Sequence, residues 1–250
     1  MKLRRRHKYS LIALAAYWPL VFTLTHIPMR DITRNSGMSD KTMHIMAFFV
    51  LTFLVWCAVS PYRRIEWHRA KTWWVFGTLA VYGALDEYLQ SFVGRGTCVD
   101  DFIANLFGIT LAMGVLSVFH FWSALLISAA ASIFVISNMS NLTALYPHFH
   151  LNTAYHFSAY AALCLIWIQH IDRHLYLSSN RAAWLLVAAA LPLAMLGLVA
   201  VAAPFFDKTV WWMDIATAIF GIAAAVLISR LTFALTGNIS PPLKNGTKKP

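Results

Sequence analysis

An all-α, polytopic transmembrane helix bundle is the fold this 250-residue chain predicts, with about eight helices in two parallel four-helix repeats. Three observations lead there. Hydrophobic residues make up 59% of the chain and charged residues only 12%, about half the charged fraction of ordinary soluble domains. Eight apolar stretches each approach the ~20 residues that cross a bilayer as a helix. The sequence also resembles itself at a shift of 112 to 113 positions.

The stretches run Ser10–Ile27, Thr42–Ser60, Thr72–Gln90, Asp100–Val118, Trp122–Asn138, Thr153–His170, Ala182–Ala202 and Trp211–Leu231. The first follows a basic head, MKLRRRHK, in the manner of a signal peptide. No small-x-small cleavage site follows it, so it reads as an uncleaved first helix. The second is expected to take Asp40 as its N-cap, where a carboxylate accepts from free backbone N–H groups. The third ends on Asp86, Glu87 and Gln90 and leads into the loop Gly94-Arg95-Gly96. The fourth is expected to use Asp100 as its cap, leaving Asp101 to face inward, and to let another helix approach at Gly108. It must turn into the fifth around Phe119–Phe121 without Gly or Pro. The sixth carries His156, the seventh Pro192, and the eighth Asp214 and Gly221. The tail, residues 236–250, is polar and rich in Pro, Gly and Lys, and is expected to be disordered.

The formal net charge is +10. Such a balance often marks a nucleic-acid partner, but here the charges sit at the ends of apolar runs and no nucleic acid is expected. Eight spans put both termini on one side. Five of the 20 basic residues, Arg30, Arg34, Lys41, Arg95 and Lys208, fall on the other side. The positive-inside rule then places both termini in the cytoplasm. The three cysteines, Cys57, Cys98 and Cys164, form no C-x-x-C pair and indicate neither a zinc site nor a redox motif.

The repeat aligns His44 with His156, Phe48 with Tyr160, His26 with Asn138, Asp101 with Asp214 and Gly108 with Gly221. It divides the chain into residues 1–120 and 121–235. Each copy has an even number of spans, which makes the copies parallel. The second copy lacks the polar groups of the first. Asp86, Glu87 and Gln90 face Val199, Ala200 and Ala203, Asn105 faces Ala218, and Arg95 becomes Lys208. Ionisable residues inside a membrane point to function by default, so the first copy reads as the site and the second as scaffold.

Four groups make up that site near the outer ends of the second to fourth helices. Asp40-Lys41-x-x-His44 enters the second helix, where Lys41 and His44 are expected to share a face. Asp86-Glu87-x-x-Gln90 ends the third, with Asp86 and Gln90 four apart on one face. Arg95 sits in the glycine loop, and Asp101-x-x-x-Asn105-x-x-Gly108 opens the fourth helix. Two adjacent carboxylates at the end of an apolar helix need partners, and Arg95 and Lys41 are the cations at hand. A purely structural ion-pair network joining three helices is the alternative.

Taken together, these residues resemble the VanZ-like family of bacterial membrane proteins. The family's order, D-K-x-x-H, D-E-x-x-Q, an Arg and D-x-x-x-N-x-x-G, is met by Asp40 to His44, Asp86 to Gln90, Arg95, and Asp101 to Gly108. The match covers residues 9–118. One departure is the loop Val93-Gly94-Arg95, which lacks the Pro that often precedes Gly-Arg in the family. The resemblance implies a multi-pass protein of the bacterial cytoplasmic (inner) membrane. The founding member is linked to low-level resistance to the glycopeptide teicoplanin.

Two functions from different classes remain open. One is a membrane-embedded enzyme acting on a membrane lipid or lipid-linked, phosphate-bearing envelope precursor. His44, Asp86, Glu87 and Asp101 would then be its catalytic groups, and Asp40, Lys41, Gln90, Arg95 and Asn105 would bind substrate. No spacing requires a metal, no cofactor is indicated, and no nucleophilic Ser or Cys motif is visible. The other is a non-catalytic protein that binds or moves an envelope lipid, or stabilises a partner. The polar groups cluster at one depth and one side, which fits a pocket open to one leaflet better than a transport path.

Overall fold

The computed structural model describes residues 5–26, 38–93, 98–140, 151–174 and 181–236. The described residues form eight α-helices: α1 Arg5–His26, α2 Asp40–Val59, α3 Ala70–Gln90, α4 Val99–Val118, α5 Phe121–Met139, α6 Leu151–His174, α7 Arg181–Ala202 and α8 Trp212–Thr236. A 3₁₀ turn follows α3 at Ser91–Val93 and another follows α7 at Ala203–Phe206. There is no strand among the described residues. Every helix lies within a few residues of its expected span. The loop 94–97, with Arg95, and residues 237–250 of the tail lie outside the described residues.

The helices α2, α4 and α5, together with Ala183–Phe206 and Trp212–Phe233, are long and apolar enough to cross a bilayer. The outward faces are apolar too, with Trp74, Phe107, Leu186 and Phe220 all exposed. Helices apolar on both faces belong in lipid, where nothing drives apolar side chains off the surface. The chain is therefore a helical membrane bundle. Pro19 and Pro192 lie inside α1 and α7 without ending either helix.

Two compact units divide between Leu151 and Asn152. The first contains α1 to α5, so α5, at the head of the second sequence copy, groups with the first unit. Its core is built from Phe48 and Leu51 of α2, Leu79 of α3, and Ile109 and Met113 of α4. Tyr17 of α1 donates to the Ala47 carbonyl at 3.2 Å and ties α1 to α2.

In the first unit α2 and α4 approach closely at Gly108. A Cβ there would collide with the Ile45 carbonyl oxygen and sit 3.1 Å from the Phe49 nitrogen. Backbone against backbone leaves no side chain to give way. Gly108→Ala is expected to force the helices apart and destabilise by about 1–3 kcal/mol, read as a lower Tm in detergent. An unchanged Tm would contradict the tight crossing. In the second unit, Gly221 of α8 meets the Phe157 carbonyl of α6 in the same manner.

Two local expectations are corrected, and a third, the joint after α4, is met. The N-cap of α2 is Ser39, whose Oγ accepts from the Thr42 amide at 3.1 Å, and Asp40 is the first helical residue. The hydroxyl is therefore the cap, and the Asp40 side chain is not. Cys98, not Asp100, occupies the N-cap position of α4, and the Asp100 side chain turns to Lys41. The joint after α4 is made by two extended residues, Phe119 and His120, so neither Gly nor Pro is needed.

Candidate functional site

The polar residues gather at one end of the first unit. The helices α1 and α3 end there, and α2 and α4 begin there. The loop after α2, carrying Arg63, Arg64 and Arg69, lies at the other end, a helix length of about 30 Å away. Antiparallel neighbours thus bring residues distant in sequence to one depth.

Glu87 lies at the middle of this end. Its Oε1 accepts from Asn105 Nδ2 at 2.9 Å and stands 3.4 Å from His44 Nδ1. His44 Nδ1 and Asn105 Oδ1 are 2.9 Å apart. The amide nitrogen of Asn105 must face the carboxylate, because an ionised carboxylate only accepts. Its carbonyl oxygen then faces His44, which makes Nδ1 the protonated ring nitrogen and leaves Nε2 with a lone pair. Nε2 points the other way, to Asp40 Oδ1 at 4.0 Å. Asn105 is fully buried and His44 is 3% exposed, so the relay is closed to water. Glu87 Oε2 is buried as well and has no hydrogen-bond partner among the described residues.

Asp86, one position earlier, points to a different helix. Its Oδ2 accepts from Gln90 Nε2 at 2.9 Å, the i,i+4 pair read from the sequence. Its Oδ1 accepts from Thr25 of α1 at 3.2 Å, and His26 Nδ1 is 3.8 Å away. Thr25 and His26 were not picked out as site residues. The only signal for them was a polar pair at the end of an apolar helix.

Asp101 faces inward as expected and is 9% exposed. Its carboxylate makes no hydrogen bond or ion pair among the described residues. One ligand atom each from Asp40, His44 and Asp101 lie within 4.8 Å of one another. Lys41 is elsewhere. It does not share the inner face with His44: its Nζ is 2.6 Å from Asp100 Oδ2, and both groups are more than half exposed. A hundred degrees of helical rotation per residue places Lys41 outside when Asp40 and His44 point in. It is therefore not a partner of Asp86 or Glu87. Beside the Lys41–Asp100 pair runs a groove of about 280 Å³, lined by Ile45, Ile103, Ala104 and Phe107.

Seven of the nine expected residues, Asp40, His44, Asp86, Glu87, Gln90, Asp101 and Asn105, are thus brought to one buried end. Lys41 lies on its rim, and Arg95 is outside the described residues. The second unit has none of this relay. Val199, Ala203 and Ala218, which stand opposite Asp86, Gln90 and Asn105 in the repeat, are buried apolar residues.

No curated protein and no solved structure matches the chain. A family model does: residues 2–120, the stretch that holds every site residue, match the model of the VanZ/LLP1 family, which supports a VanZ-like assignment of that stretch.

Proposed function

We propose that the buried polar end of the first unit binds or acts on a phosphate-bearing lipid or lipid-linked envelope precursor in the bacterial inner membrane. The observation that carries this reading is the closed relay Glu87–Asn105–His44 beside the unpartnered Asp101 carboxylate, inside an otherwise apolar bundle. Ionisable groups at such a depth cost free energy and are kept for a task. The groove beside Lys41 offers apolar lining for an acyl or prenyl chain, from Ile45, Ile103, Ala104 and Phe107, with the Lys41 cation beside it for a phosphate. Arg95, a few residues before Asp100 in the chain, is a second cation for that phosphate.

Native mass spectrometry of the purified protein with its co-purifying lipids tests this. A phosphate-bearing lipid retained by the parent and lost from His44→Gln is the expected result. Equal bulk lipid in both, and nothing specific in either, would remove the reading. A non-catalytic binder or partner-stabilising protein is favoured by one observation. Both Asp86 oxygens already accept hydrogen bonds, so Asp86 serves packing more readily than proton transfer. A bearing on teicoplanin susceptibility rests on the family alone and is read from inhibitory concentrations with and without the gene.

The charge distribution supports an orientation with both termini in the cytoplasm and the site at the outer leaflet. Cys98 is partly exposed at the site end, whereas Cys57 and Cys164 are buried. A membrane-impermeant thiol reagent is expected to label intact spheroplasts, and Cys98→Ser to abolish that label. Labelling only after permeabilisation would reverse the orientation. The two sequence copies support an origin by duplication, with Gly108 on Ile45 and Gly221 on Phe157 as matching crossings.

A further inference from the structure

We infer that the turn between α2 and α3, residues 60–69, together with Lys71 forms a binding site for the headgroup of an anionic phospholipid, in the leaflet opposite the polar relay. The charges there are one-sided. From Thr42 to Leu85 the single acid is Glu66, with Arg63, Arg64, Arg69 and Lys71 around it. Glu66 is already engaged: its Oε2 accepts from Arg69 Nε at 2.7 Å and stands 3.2 Å from His68 Nε2. The other three cations meet no carboxylate among the described residues. Arg64 Nη2 donates to His120 Nδ1, a neutral acceptor. Lys71 Nζ donates to Ser60 Oγ at 2.7 Å and lies 5.1 Å from the centre of the Trp56 ring. An ammonium carries three N–H groups, and one hydroxyl with a ring face orients that charge without neutralising it. Arg69 and Arg63 are near enough to act on the Lys71 charge as like charges. The Arg63 guanidinium itself makes no hydrogen bond or ion pair among the described residues. Cations gathered in this way call for an anion from outside the chain.

The turn is also held in shape. Trp56 Nε1 donates to the Arg63 carbonyl at 2.8 Å, and the Ile65 amide donates to the Leu116 carbonyl of α4 at 3.0 Å. Thr72 Oγ1 donates to the Glu66 carbonyl at 2.8 Å. Tyr62 takes a left-handed backbone conformation, φ 63°, unusual for a residue with a side chain, and its ring packs on Phe121 of α5 at 4.3 Å. A backbone tied in this manner presents Arg63 and Arg64 in fixed directions, so binding orders little that is not ordered already.

The depth of the turn selects a lipid as the occupant. Trp67, Trp73 and Trp74 are exposed around it, and indole rings gather where a bilayer meets water. Phosphates of the headgroups lie at that level. A phosphodiester accepts from the fork of Arg63 and from the Lys71 ammonium, while its acyl chains run down the apolar outer face of the bundle. A zwitterionic headgroup brings a cation of its own, which these residues repel. This inference does not rest on the function proposed for the other end.

The test uses the full-length protein in detergent. Phosphatidylglycerol and phosphatidylcholine of equal chain length are offered together, and retained lipid is counted by native mass spectrometry. The parent is expected to retain phosphatidylglycerol in preference. Arg63→Gln, at a side chain on which no contact of the fold depends, is expected to weaken that preference about fivefold, the effect of one basic residue near an anionic surface. Arg63→Gln combined with Lys71→Gln is expected to abolish it. Lys8→Gln removes an exposed charge of α1 at the same end and is expected to leave the preference unchanged. His44→Gln, at the opposite end, is expected to leave it unchanged too, which keeps this site separable from the lipid proposed there. Equal retention of both lipids by the parent, or undiminished preference in folded Arg63→Gln, overturns the inference. So does a loss in Lys8→Gln as large as in Arg63→Gln, which would make the attraction a property of the whole basic end. Inorganic phosphate alone is expected not to raise the Tm. A rise equal to that given by phosphatidylglycerol would make the ligand a soluble anion and overturn the lipid site.

Discussion

Replacing His44 by Leu is expected to destabilise the protein by about 1–3 kcal/mol, the cost of leaving a buried acceptor without its donor. His44 is 3% exposed and is the one imidazole beside Glu87 Oε1, at 3.4 Å. Leu fills much of the same volume, so a cavity is not the cause. It removes the donor to Asn105 Oδ1, the contact that holds the Asn105 amide against Glu87, whose Oε2 is already without a hydrogen bond. His44→Gln restores a donor at nearly the same place and is expected to recover most of the loss. Thermal unfolding in detergent measures both. A Leu variant as stable as the parent would mean that Glu87 does not depend on His44, and the relay would have to be withdrawn.

Asp101→Asn is expected to do the opposite. Stability should stay within about 0.5 kcal/mol of the parent or rise above it, while the retained lipid is lost. The reason is the position of the carboxylate, nine-tenths buried, without a hydrogen bond among the described residues, and close to two other ligand atoms. On the function proposed above, its charge is kept for the substrate and not for the fold. A residue kept for function shows this trade of stability for activity, and a member of a structural network does not. Unfolding temperature and lipid retention, measured side by side, decide between them. A clear fall in Tm with full retention would make Asp101 a structural residue.

The two variants also separate groups that look alike in the sequence. Asp86 and Glu87 are adjacent acids at the end of one helix, yet Asp86 closes onto Gln90 and α1, while Glu87 closes onto α2 and α4. Successive helical residues point about 100° apart, so adjacent residues serve different neighbours. Asp100 and Asp101 divide in the same way, one to Lys41 outside and one to the interior.

Much of this was legible without coordinates. Length and apolarity alone mark a span, because a bilayer demands about twenty residues of helix. Eight helices followed, five of them long and apolar enough to cross a bilayer, and so did the i,i+4 pairing of Asp86 with Gln90, which depends only on helical period. The close approach at Gly108 was legible too, since glycine in an apolar helix lets a backbone come near. The order of the polar groups along three antiparallel helices already placed them at one end. What no local rule contains is the rotation of each helix about its axis. The Gly108–Ile45 crossing sets that rotation for α2 and α4. It turns His44 inward and Lys41 out to Asp100, and α3 in turn brings Asp86 to Thr25 of α1. Those pairings come from packing between residues some 60 positions apart. Helical period fixes which side chains share a face, but only the neighbouring helix decides which face is buried.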